Sequence, residues 1–210
     1  MPTPAEILDG LTSIANEMIV LAIIWHALVL CALIGIVLGW RPTKKIGASL
    51  LAIPLFSVGI LSWIYKNPFN GAVFLLFAIV LAVIGLRMPT ERIQKAPLWA
   101  SIFGIFMILF GWIYPHFFED GAWFKYLYAA PMGLVPCPTL SFTIGFAMLA
   151  NGFSSRVWSL ILVVMGIFYG LIGALRLGVQ IDYILLAGAL LLLVLMLTSK
   201  SFVPSRTESD

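Results

Sequence analysis

Apolar residues fill this chain in long blocks separated by short polar punctuation, rather than alternating with polar ones at a strand or helix period. Predominantly apolar runs cover 18–40, 46–65, 69–86, 96–115, 127–150, 157–175 and 183–198. A helix needs about 20 apolar residues to cross ~30 Å of hydrocarbon. Each run is therefore read as a membrane span, seven in all. Ahead of them, Thr3-Pro4-Ala5-Glu6 has the form of a capping box with proline in the first turn. Ile7, Leu8, Leu11, Ile14 and Ala15 share one face of the helix that follows. The pattern predicts a short helix within 1–17 that lies on the outer membrane surface before turning into the first span.

The links at 41–45, 66–68, 151–156 and 177–182 are short, which makes consecutive spans antiparallel neighbours. One connection, 116–136, is long, and its Trp123, Phe124, Tyr126 and Tyr128 suit the headgroup layer. A re-entrant or interfacial segment is expected there, leading into the fifth span. The expected fold class is all-α: a polytopic membrane helix bundle forming one domain, residues 1–210.

Composition narrows the function classes. Of 210 residues, 62% are apolar and only 10% charged, with a mean hydropathy of +1.09. Soluble domains carry about a quarter charged residues, so a water-soluble enzyme is excluded; an aromatic share of 13% excludes a disordered chain. Arg41, Lys44, Lys45, Arg87, Arg92, Lys95, Arg156, Lys200 and Arg206 fall on one side of seven spans, against Lys66, Lys125 and Arg176 on the other. Basic residues mark cytoplasmic loops, which places the N-terminus outside and the C-terminus in the cytoplasm of a cell inner membrane. The acids Glu6, Asp9, Glu17, Glu119, Asp120 and Asp182 fall outside. The stretch before Arg41 lacks the basic region of a cleaved signal peptide.

The most unusual local sequence is Val135-Pro136-Cys137-Pro138-Thr139. A residue before proline is pushed away from helical geometry, so the fifth span is expected to be broken at Pro136-Cys137-Pro138. Cys137 would then stand at or near the N-cap, on the outer side, with the helix beginning only near Pro138. A helix N-terminus favours a thiolate, and broken helices expose backbone groups to solutes in transporters. The alternative is a rigid corner filled by a small thiol. Cys31, mid-span, is read as structural, and two cysteines do not make a disulfide framework.

His26 lies inside the first span, about 12 Å below its outer end at 1.5 Å per residue. An ionisable residue at that depth is a functional candidate; a neutral imidazole bonded to a neighbouring helix is the alternative. An outward-facing polar cleft is expected from Cys137, Thr139, Tyr114, Gln180, Arg176 and Asp182, with His26 at its floor and Arg176 paired to Asp182 at its rim. A soft-metal site would draw on Cys137, His116 and Met132, although no CxxC, HxxxH or methionine cluster is present. No cofactor is expected: the histidines differ too much in depth to share a haem, and the last span has no lysine for a retinal Schiff base. No GxSxG, HExxH, P-loop or dinucleotide fingerprint occurs. Gly35/Gly39 and Gly166/Gly170/Ala174, at four-residue spacing, predict close helix contacts.

The stretch Gly133 to Gly145, with Pro136-Cys137-Pro138-Thr139 followed by Phe142, Thr143 and Gly145, resembles the hallmark of a bacterial integral-membrane family, domain of unknown function 6064. Gly170 to Gly188, including Ala174, Gly178-Val179-Gln180 and Asp182, is similar to a second family stretch. Tyr114-Pro115 and Tyr65 with Phe69-Asn70 look like further family positions. The resemblance implies a multi-spanning membrane protein and no particular activity.

The leading functional expectation is a permease-like or accessory membrane protein. The alternatives are a thiol or soft-metal (copper or mercury) handling protein and a non-catalytic scaffold packing through its glycine stripes. The partners these readings allow are the lipid bilayer, a small solute or ion, and a second copy or another membrane protein. Nucleic acid is excluded, because the basic residues are scattered.

Overall fold

A computed structural model describes residues 3–118 and 123–199; Glu119, Asp120, Lys200 and Arg206, whose charges entered the orientation expectation, lie outside them. Among the described residues every regular element is helical, apart from one isolated bridge between Thr43 and Arg92. The helices are α1 (Pro4–Glu17), α2 (Ile19–Val37), α3 (Lys44–Ile64), α4 (Pro68–Leu86), α5 (Leu98–Ile113), α6 (Tyr126–Ala129), α7 (Pro136–Leu149), α8 (Arg156–Leu171) and α9 (Tyr183–Thr198). A wide turn, Ile172–Arg176, continues α8, and a tight turn, Gln180–Asp182, leads into α9.

Local sequence explains most helix starts. Thr3 closes both halves of the capping box, with Pro4 in the first turn. The side chains of Thr43, Asn67 and Ser155 accept from first-turn amides of α3, α4 and α8. Each such cap removes an otherwise unpaired donor and is worth about 1 kcal/mol. At the far end of α2, Gly39 adopts φ +99°, and the Gly39 and Trp40 amides donate to Ile36 and Gly35. That is a left-handed glycine stop, so the Gly35/Gly39 pair ends a helix instead of seating a neighbour. A Cβ on Gly39 would touch nothing, and one on Gly35 would meet only Trp40 of the same turn.

Among the described residues, five helices are long and apolar enough to cross a bilayer: α2, α3, α4, α8 with its continuation (Arg156–Arg176), and α9 with its lead-in (Gln180–Thr198). The helices α5 and α7 are apolar but shorter, at 16 and 14 residues. The sequence expectation of seven full-length runs is thus matched in length by five.

Central to the bundle is α7, buried along nearly its whole length between α3, α5, α8 and α9. It lies backbone to backbone on α5: a Cβ on Gly104 would sit 2.8 Å from the Gly145 carbonyl oxygen, and one on Gly145 would sit 2.6 Å from that of Gly104. Absent side chains permit that approach, and the buried hydroxyls then bond locally. Ser141 donates to the Met107 carbonyl of α5 at 3.0 Å, and Thr143 to the Thr139 carbonyl at 2.7 Å. On α8, a Cβ at Gly166 would meet the Ala189 methyl and Ile144, and one at Gly170 would meet the Leu186 backbone at 2.9 Å. The α8 stripe, extended by the buried Ala174, is therefore occupied within the chain by α9 and is not free for a partner.

The entry to α7 differs from the sequence expectation. The break lies upstream, in residues 130–135, and the helix starts at Pro136. Cys137 is inside the first turn rather than outside it. First-turn amides have no intrahelical acceptor, so prolines at Pro136 and Pro138 remove nothing the helix needs. Val135, extended at φ −123° and ψ 158°, takes the pre-proline restriction instead.

Candidate functional site

The polar residues of one end of the bundle converge on Asp182. The Asp182 amide donates to the Val179 carbonyl at 3.0 Å, and the Val179 amide to the Gly173 carbonyl at 2.9 Å. This folds the tight turn back over the end of α8. The carboxylate rests against the bare Gly173 backbone, where any Cβ would overlap its oxygens. Tyr114, at the end of α5, donates from its hydroxyl to Asp182 Oδ1 at 2.7 Å. The Cys137 side chain lies near the same carboxylate and the Tyr114 hydroxyl. Three helix ends, those of α5, α7 and α9, are thereby tied at one buried carboxylate, 1% exposed.

Beside this knot opens a cavity of about 300 Å³ with Cys137 in its wall. Asn67 and Asn70 from α4, Tyr169 from α8 and Arg176 supply the other polar wall groups, and Ile7 and Leu11 of α1 close one side. Tyr169 donates from its hydroxyl to Asn70 Oδ1 at 3.0 Å, and both residues are buried. With its oxygen held, Asn70 has no protein partner for its amide nitrogen among the described residues. Two helix N-termini, those of α4 and α7, contribute wall residues, and each carries partial positive charge.

Of the residues singled out in the sequence, the structure brings Cys137, Tyr114, Asp182 and Arg176 to this end. Arg176 stands exposed on the cavity wall and makes no ion pair with Asp182, contrary to the expected rim pair. Tyr114 satisfies the carboxylate instead, and a guanidinium would have to leave water to reach it. Gln180 is exposed and outside the lining. Thr139 does not line the cavity either. Fully buried, it donates to the Val135 carbonyl at 2.7 Å and accepts from the Gly133 amide at 2.9 Å, so it holds the 130–135 loop.

His26 is not the floor of this cavity. Its Nδ1 lies 2.9 Å from the Ala22 carbonyl and its Nε2 3.0 Å from that of Trp112. The ring meets Trp112 edge-on at 4.6 Å. Trp112 closes α5, where carbonyls run out of helical donors, so the imidazole joins α2 to the end of α5. His116 packs edge-on against Phe117 at 4.4 Å, with burial lowering its pKa. Met132 sits in a separate apolar cluster with Val29, Ile108 and Phe142. The expected Cys137–His116–Met132 metal set is thus not assembled, and no group of three His, Cys, Asp or Glu side chains gathers among the described residues.

Sequence reading missed Tyr169 and Gly173 as members of the site and gave Asn70 no role in it. Asn70 carried a signal, as an amide inside an apolar run. Gly173, adjacent to the stripe of small residues, carried none that separates it from packing. No family model, curated protein or solved structure matches this chain.

Proposed function

We propose that this is a permease-like or accessory inner-membrane protein that binds a small solute in the cavity beside Cys137. The observation that supports it most directly is the cavity itself, about 300 Å³, placed where two helices begin and where the Asn70 amide nitrogen lacks a partner among the described residues. On this reading α5 and α7 join the five longer helices as spans, the N-terminus faces outward, and the Pro-Cys-Pro-Thr corner opens to the exterior. The likeness to domain of unknown function 6064 belongs to the same proposal, because its hallmark residues form the corner.

The converging helix N-termini and Arg176 favour a solute with a negative or strongly accepting end. The apolar wall favours a carbon body attached to it. Thiol or soft-metal chemistry at Cys137 finds less support, since no imidazole reaches it: both histidines are engaged elsewhere.

The test uses the full chain with Cys31→Ser, leaving Cys137 as the only thiol. A membrane-impermeant sulfonated maleimide is expected to label Cys137 in intact cells. Labelling that appears only after detergent would overturn the outward opening.

A further inference from the structure

We infer that the opposite end of the bundle carries a second site, one that takes the phosphate of an anionic phospholipid. The helices α4 and α8 that border the Cys137 cavity at Asn67 and Tyr169 reach a second cavity at their other ends, about 360 Å³ in volume. Its polar groups are Lys44, Arg87, Ser154 and Ser155.

Lys44 opens α3 with its side chain 7% exposed, and its Nζ donates to Glu91 at 2.7 Å. An ammonium has three donors, so two remain for a ligand. Arg87 caps the end of α4, is exposed, and makes no ion pair among the described residues. Ser155 accepts from the Trp158 amide at 3.4 Å, which leaves its hydroxyl hydrogen to donate. The starts of α3 and α8 meet here, adding two positive helix ends.

The setting selects a lipid over a free ion. Arg41, Lys45, Arg92, Lys95 and Arg156 lie in the same set of turns, whose one described acid, Glu91, is held by Lys44. Basic pockets between helices at a membrane surface take anionic headgroups. Ile84, Met88 and Phe153 give the cavity an apolar side suited to glycerol and the first acyl carbons. The helices α3, α4 and α8 are all of crossing length, so the cavity falls at the level where phosphates stand.

The test is thermal unfolding of the delipidated full chain in neutral detergent, with phosphatidylglycerol, phosphatidylcholine or inorganic phosphate added. Phosphatidylglycerol is expected to stabilise it more than phosphatidylcholine. Arg87→Ala should weaken that effect about fivefold, whereas Lys66→Ala, at the other end, should leave it unchanged. Where Arg87→Ala lowers the folded yield, Arg87→Gln reads the same loss of charge. Equal responses to the two lipids, or an Arg87 variant that responds like the parent, would overturn the site. Inorganic phosphate acting with the same Arg87 dependence would overturn the lipid as its source.

Discussion

Tyr114 and Asp182, 68 residues apart in the chain, meet through a 2.7 Å hydrogen bond with both side chains sealed from solvent. A buried carboxylate is costly unless its oxygens are satisfied. Tyr114→Phe keeps the ring and removes the donor, so it should lower stability by about 1–3 kcal/mol. Combined with Asp182→Ala, which removes the acceptor, the double variant should lose less than the sum of the single losses, since both remove the same bond. Unfolding in detergent measures both, and strict additivity would deny the coupling.

Gly173 provides the surface on which that carboxylate rests. Gly173→Ala should displace Asp182 and cost about 1–3 kcal/mol by overpacking. Gly178, at φ +74° with open space around its Cα, is a control for backbone strain alone, and Gly178→Ala should cost about 1 kcal/mol. The two variants separate in a second readout. Only Gly173→Ala should change the rate at which Cys137 reacts with maleimide, because only there is the carboxylate beside the thiol displaced.

His26 is the polar tie between α2 and the end of α5. Its two nitrogens face the Ala22 and Trp112 carbonyls and a neutral ring donates to one of them, so replacing it with phenylalanine removes one donor, a loss of about 1–3 kcal/mol. His26→Gln, which can still donate, should recover part of it. Equal melting temperatures for the two variants would show that the imidazole contributes packing alone.

At the chain's start, Glu6 Oε2 accepts from the Thr3 amide at 2.7 Å and from the Thr3 hydroxyl at 3.0 Å. The Thr3 amide, then the hydroxyl, hold its carboxyl below the ordinary value of 4.5. A lowered folded value means the contribution is fully present above the ordinary value and is lost as pH falls through the folded one. Amide exchange in the first turn of α1, corrected for intrinsic rates, should stay slow at neutral pH and quicken below the ordinary carboxylate value. Glu6→Gln should abolish that dependence, while Thr3→Ala, which keeps the amide, should only reduce it; an unchanged profile in Glu6→Gln would sink the account.

Helix starts were legible because caps are local. Thr3 with Glu6 and the proline after it needed no knowledge of the fold, and Leu11, Ile14 and Ala15 turn inward from the face predicted for α1. Facing partners were not legible. The helices beyond α1 are apolar nearly all round, so no stripe marks the side that meets protein rather than lipid. The bonds that build the site and its supports join residues 68, 86 and 99 positions apart. The Arg176–Asp182 expectation shows the same limit: nearness in sequence favoured a pair that a more distant tyrosine displaces. Gly35/Gly39 shows another, since a small-residue repeat can equally signal where a helix stops.

The shortness of α7 has an electrical consequence. Fourteen residues rise only about 21 Å, against ~30 Å of hydrocarbon. On the proposed reading of α7 as a span with the Cys137 cavity open to the exterior, a resting voltage would drop over this shorter length, a gradient roughly 1.4 times steeper than across plain lipid.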